Sequence, residues 1–154
     1  MGRKNLSGFL ARHKRVGVDT IVFIYYLVDH PTYSLLVRPL FEALESRKIV
    51  GVTSVITLME ILVHPKRSGK VAAARDYQDL LLTYPNLVIA DIDKETADIA
   101  SDLRAKYGIR PPDALQLAAV LQGGASGFIT NDTQLKQVEE GIEIVLLDNL
   151  IDRR

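Results

Sequence analysis

Five short runs rich in β-branched and aliphatic residues recur along the chain, separated by segments long enough to form helices. They are Arg15 to Val18, Ile49 to Val52, Leu87 to Ile89, Gly127 to Thr130 and Glu143 to Leu147. Runs this brief cannot sustain a stable helix. Placed between segments of helical periodicity, they predict an α/β fold with a mostly parallel five-stranded sheet and crossover helices. The expected helices are Thr20 to Val28, Ser34 to Arg47, Ser54 to Val63, Gly69 to Thr83, Lys94 to Tyr107, Pro112 to Gln122 and Thr133 to Glu139. Local chemistry supports several of these ends. Asp93 precedes Lys94-Glu95-Thr96 as an N-cap, Pro111-Pro112 opens a helix, and Gly108 follows Tyr107 as a C-terminal stop.

A length of 154 residues suits one domain, with 47% apolar and 25% charged residues giving ordinary globular material. Residues 15–154 are read as that domain, preceded by a basic arm over residues 1–14 that is expected to be disordered. No apolar run approaches the roughly 20 residues of a membrane helix. Arg12, His13, Lys14 and Arg15 stand where a signal peptide would be apolar. A soluble, cytoplasmic protein with no membrane partner is expected. The chain has no cysteine and three histidines, His13, His30 and His64, so disulfides, thiolate metal sites and cysteine nucleophiles are excluded. Chemistry must rest mainly on oxygen ligands.

Nineteen basic residues balance nineteen acidic ones, so net charge does not announce a nucleic-acid binder. The distribution is uneven. Arg3, Lys4, Arg12, Lys14 and Arg15 cluster within residues 1–18 without an acid, and Lys66, Arg67, Lys70 and Arg75 form a second group. Familiar motifs are missing. Gly123, Gly124 and Gly127 precede a strand instead of following one, which reads as a turn and not as a dinucleotide fingerprint. Gly69-Lys70 lacks the remainder of a phosphate-cradling loop, and no Gly-x-Ser-x-Gly occurs.

Four acids occupy more suggestive places. Asp19 follows the first strand, Asp132 follows the fourth after Thr130-Asn131, and Glu60 lies within the helix leaving the second strand. Asp113 opens the apolar segment Ala114 to Val120. Ligands of open parallel sheets bind at the carboxyl ends of strands, where Asp19 and Asp132 stand. Individually, Asp19, Asp113 and Asp132 read as helix caps or first-turn acids, and Glu60 as a solvent-facing residue. Crowded together on one sheet edge, they would repel one another unless a cation stood between them. Mg²⁺ or Mn²⁺ satisfies that requirement with a few carboxylates and can orient and deprotonate a water for attack at phosphorus.

These residues resemble the PIN-domain ribonucleases, and within them the VapC-like toxins of toxin-antitoxin pairs. The resemblance spans roughly residues 16 to 148. It rests on Val18-Asp19-Thr20, Thr57-Leu58-Met59-Glu60-Ile61-Leu62, Asp113-Ala114-Leu115-Gln116-Leu117-Ala118-Ala119 and Ile129-Thr130-Asn131-Asp132. It implies a three-layer α/β/α fold and a metal-dependent endoribonuclease that leaves a 5′-phosphate. Asp19, Glu60, Asp113 and Asp132 match the family's acidic quartet as catalytic and metal-holding residues, with Thr130 as a supporting hydroxyl. It further implies an RNA substrate, a cognate antitoxin and a homodimer. Arg12, Lys14, Arg15, Lys66, Arg67 and Arg110 are candidate contacts to substrate phosphate. One position departs from the pattern: Ile21 stands where the family often carries a polar residue.

Two other readings compete. A phosphoacceptor signalling domain would place its acceptor after the third strand, at Asp91 or Asp93, and could use Thr130. It would, however, need two acids after the first strand and a lysine after the fifth, where only Asp19 and Asp148 stand. A catalytically idle binding module of the same fold is the third reading, kept open by Ile21.

Overall fold

The computed structural model describes residues 5–151, in which the run Arg15–Val18 forms the central strand, β1, of a five-stranded sheet. The other strands are β2 (Val50–Ser54), β3 (Leu87–Ala90), β4 (Gly127–Thr130) and β5 (Glu143–Leu146). Their spatial order is β3-β2-β1-β4-β5 and every pair is parallel, so all carboxyl ends share one edge. The helices are α1 (Leu6–Leu10), α2 (Thr20–Leu27), α3 (Ser34–Glu45), α4 (Val55–Arg67), α5 (Val71–Thr83), α6 (Lys94–Tyr107) and α7 (Pro111–Gln122). Two 3-10 turns follow β4 and β5, at Thr133–Gln137 and Leu147–Leu150.

Alternation along the strands divides the core into two layers. Val16, Val18 and Ile129 pack with Phe9 of α1, Val22 and Phe23 of α2, and Val37, Leu40 and Phe41 of α3, with Ile61 of α4 and Leu81 of α5 joining the same cluster. Phe128 turns to the opposite face and packs with Leu103 of α6 and with Leu117 and Val120 of α7. A sheet covered on both faces explains why its strands read as apolar runs. Gly17 belongs to this logic. A Cβ there would lie 2.2 Å from Val120 Cγ1, so only glycine lets α7 approach β1 this closely.

Strands β1 and β4 and helix α6 coincide with the segments expected from sequence. Elsewhere the boundaries move for local reasons. Ser54, expected inside a helix, ends β2, and its side chain accepts from Ile56 N–H as the N-cap of α4. That helix runs on past Val63 and through Pro65 to Arg67. Arg47 adopts φ 63°, outside helical space, so α3 stops at Glu45. The expected helix Thr133 to Glu139 is a shorter 3-10 turn.

The larger correction concerns the arm. Residues 1–4, with Arg3 and Lys4, lie outside the described residues, but the rest of the expected disordered segment is folded. Leu6, Phe9 and Leu10 are 0%, 3% and 7% exposed, which places α1 in the core. Arg12 pairs with Glu143, and His13 bridges Glu143 and Ser126. The cations had drawn attention away from the apolar spacing Leu6, Phe9, Leu10, which is that of one helix face.

Helices α6 and α7 form an antiparallel pair. Thr96 at the start of α6 donates to Gln122 at the end of α7, and the carbonyl of Gly123 accepts from Arg15 at the amino end of β1. Helix α7 therefore begins at the carboxyl edge of the sheet and descends, and Asp113 in its first turn arrives beside Asp19. Removing the Phe9 ring tests the arm's incorporation. Phe9→Ala is expected to cost about 3 kcal/mol in urea denaturation, whereas a detached arm would leave the midpoint unchanged.

Candidate active site

Asp19 leaves β1 directly and caps α2: its Oδ1 accepts from Thr20 N–H at 2.9 Å. Its Oδ2 accepts from the buried Thr130 hydroxyl at 2.7 Å, and Thr130 Oγ1 in turn accepts from Asp132 N–H at 3.1 Å. Thr130 thus ties the first acid to the last. Asp132 caps the 3-10 turn through Gln134 N–H. Asp113 takes Arg110 Nε at 3.1 Å, one turn away on α7. Glu60, exposed on α4, is held by Thr20 Oγ1, which donates to its Oε1 at 2.7 Å. All four acids line one cleft of roughly 300 Å³, together with Thr20, Ile21, Tyr25, Arg110 and Asn131. Capping and convergence are not alternatives here, because the turns that need caps end at this edge.

The cleft disfavours its own charge. Desolvation raises the Asp19 carboxyl to about 6, against the lowering effect of its bonds from Thr130 and Thr20, and the fields of Asp113 and Glu60 push it the same way. Among the described residues no three acidic or histidine side chains form a closed metal cage. The donor set fits Mg²⁺ or Mn²⁺ in a different way. Such an ion keeps several waters and is commonly bound by one or two carboxylates plus substrate phosphates. Glu60 Oε2, Asp113 Oδ1 and Asp132 Oδ2 make no hydrogen bond among the described residues.

Of the six candidate phosphate contacts, one stands at the cleft. Arg110 lines it. Lys14 and Arg15 occupy the amino end of β1, four residues of strand away from Asp19, or about 13 Å. Arg12 is at that same edge and engaged with Glu143. Lys66 and Arg67 sit in the last turn of α4, about 9 Å or more along the axis from Glu60. The two basic groups that stood out in the sequence are therefore not where the acids meet.

Sequence reasoning had passed over the polar residues beneath the acids. Thr53, Ser54, Thr57 and Gln116 are 0% to 2% exposed and bonded to one another, and Thr57 Oγ1 lies 2.9 Å from Thr20 Oγ1. A usable signal existed: Gln116 interrupts the apolar segment of α7, and a polar side chain buried in a helix face requires a partner. A second cluster fastens the rim. Asn131 donates to Tyr25 OH at 3.2 Å and accepts from Asp148 N–H, while Tyr33 donates to Asp148 and stacks on Tyr25.

Burial of Asp19 fixes the sign of a pH effect. Its folded value of about 6 exceeds the ordinary 3.8, so ionisation costs stability progressively as pH rises through that interval and fully above it. Asp19→Asn removes this cost. Between about pH 4 and about pH 7.5, in EDTA, the variant is expected to gain about 2 to 3 kcal/mol relative to the parent. Urea denaturation at both pH values reads it, and a constant difference would show that Asp19 is not destabilised.

The strand order excludes the signalling-domain reading. A receiver sheet has order 2-1-3-4-5, with its third strand beside the first, whereas here β3 lies at the sheet edge with β2 between it and β1. Asp93 is occupied in capping α6. Comparison with known proteins agrees with the geometry. A search of curated proteins for relatives finds no match. Among solved structures, the chain is similar to VapBC2 from Rickettsia felis bound to a promoter DNA fragment, with TM-score 0.65 and 19% identity over 86% of this chain and 98% of that one. It is similar to a toxin-antitoxin complex from Klebsiella pneumoniae, with TM-score 0.61 and 23% identity over 86% and 97%. It is also similar to VapC20 of Mycobacterium tuberculosis, a toxin that cleaves the sarcin-ricin loop, with TM-score 0.59 and 16% identity over 73% and 86%. These likenesses establish the fold, and residues 16–141 match the PIN domain family itself. With the acids of four separate segments gathered at the carboxyl edge of its sheet, the chain belongs to the PIN domain family.

Proposed function

We propose that this protein is a Mg²⁺- or Mn²⁺-dependent endoribonuclease, a VapC-like toxin acting in the cytoplasm. The observation that carries the reading is the convergence of Asp19, Glu60, Asp113 and Asp132 on one cleft, where the charge of Asp19 is disfavoured mainly by burial and further by Asp113 and Glu60. Asp19, Asp113 and Asp132 would hold the metal, and Glu60 would complete the set or orient the attacking water. When bound, the ion supplies a polarised phosphoryl oxygen and an activated water. Thr130 keeps Asp19 and Asp132 in register through one hydroxyl, and Thr20 fixes the outer carboxylate of Glu60. Arg110, 71% exposed in its side chain, is placed to meet a substrate phosphate without leaving the cleft. Ile21 lines the cleft without a polar atom, and the neighbouring Thr20 hydroxyl reaches Glu60 instead.

A cognate antitoxin belongs to the same reading, supported by the solved toxin-antitoxin complexes that share this fold, and a homodimer is proposed with it. Purified protein is expected to cut cellular RNA into discrete fragments in Mn²⁺ and not in EDTA. Asp19→Asn and Asp132→Asn should each lower the rate at least about 100-fold. Undiminished cleavage by either variant would sink the proposal, and absence of cleavage by the parent, freed of any co-purifying peptide, would favour the idle binding module. Arg110→Ala is expected to slow cleavage and flatten its salt dependence, while Arg12→Ala leaves both unchanged.

A further inference from the structure

Below the cleft, a buried hydrogen-bonded network of hydroxyls and one amide ends on Glu60. A carboxylate only accepts, so the single proton of Thr20 Oγ1 points to Glu60 Oε1, 2.7 Å away. Thr57 Oγ1 lies 2.9 Å from Thr20 Oγ1 and 2.7 Å from Thr53 Oγ1, so its one proton serves either neighbour, and with Thr53 donating to Thr57 it reaches Thr20. Thr57 in turn accepts from Gln116 Nε2 at 2.6 Å. Ser54 Oγ accepts from Ile56 N–H at 3.1 Å and donates its proton to Gln116 Oε1, leaving the nitrogen on the Thr57 side. Its second N–H reaches Thr53 at 3.2 Å. Every member except Glu60 is buried, and no buried polar side-chain atom among the described residues lacks a partner.

We infer that Gln116 and Thr57 are positioning residues that fix the orientation of Glu60, acting through Thr20. This inference rests on the nuclease reading for its functional meaning. Ordinary packing would not select this set. Five buried polar side chains next to an apolar core carry a desolvation cost that aliphatic residues of similar size avoid. The network offsets that cost by immobilising an otherwise solvent-exposed glutamate, whose rotamers would dilute the productive geometry. It also joins the N-cap of α4 to the acid on the second turn of that helix, so strand, helix and carboxylate are held together.

The test uses the full chain with Thr57→Val, which keeps the shape and deletes the hydroxyl, Thr57→Ser, which restores it, and Gln116→Met. The first readout needs neither metal nor RNA: the ¹³C resonance of the Glu60 side-chain carboxyl. It is expected to shift in Thr57→Val and Gln116→Met and to return in Thr57→Ser. In calorimetry, Thr57→Val should weaken Mn²⁺ binding about 10- to 100-fold, the size found for residues that orient metal ligands. In a Glu60→Gln background the same substitution should change Mn²⁺ affinity less than about twofold. Folded Thr57→Val with an unmoved carboxyl resonance, or an equal loss with and without Glu60, would overturn the inference. Should Thr57→Val fail to fold, Gln116→Met decides by the same two readouts. A parent that binds no Mn²⁺ would overturn the nuclease reading separately, leaving the carboxyl resonance to judge the orientation of Glu60.

Discussion

The structure turns on one unfavourable placement: a carboxylate at the end of the central strand, taken partly out of water and facing two other acids. Asp19 is retained there by two donors, the first amide of α2 and the hydroxyl of Thr130. Both exist because of the sheet. Pairing of β1 with β4 in the register Val18 to Ile129 brings Thr130 level with Asp19, and the turn out of β1 starts α2 at once. The residual repulsion makes the site receptive to a divalent cation, since an ion that carries its own waters relieves the charge without requiring a closed cage.

Everything around that point serves to bring distant acids to it and hold them. Gly17 admits α7 against β1, and α7 carries Asp113 in its first turn and Gln116 one turn deeper. Val55–Arg67 leaves β2 next door with Glu60 on its second turn. The two apolar layers on either face of the sheet clamp these elements, and the hydroxyls and amide at their junction convert packing into a fixed carboxylate. The folded arm belongs to the opposite edge, where Arg12 and His13 secure α1 to β5 through Glu143.

Much of this was legible in the chain. The runs Arg15 to Val18 and Gly127 to Thr130, and the helix Lys94 to Tyr107 with its Asp93 cap and Gly108 stop, follow from periodicity and capping chemistry that act within a few residues. The acids could be nominated because strand ends are where parallel sheets bind ligands. Charge was the misleading signal. The basic clusters were conspicuous in sequence, yet Arg12 is spent on an ion pair at the far edge, while among the described residues the cation lining the cleft is Arg110, nominated from its place beside Asp113 and not from any cluster. Leu6, Phe9 and Leu10 were overlooked for the same reason, being sparse among cations.

What the sequence by itself determined was local: where strands and helices begin, which residues cap them, and that its chemistry must run on carboxylates. Those properties depend on neighbours within one or two turns. Tertiary structure alone decided that α6 ascends and α7 descends, so that Asp113 reaches the edge holding Asp19, and that Gln116 meets Thr57 and Ser54. Helix direction across a layer and the pairing of buried polar groups are properties of packed surfaces. They arise only when segments dozens of residues apart share the same dry interior, where an unpartnered donor or charge is too costly to leave.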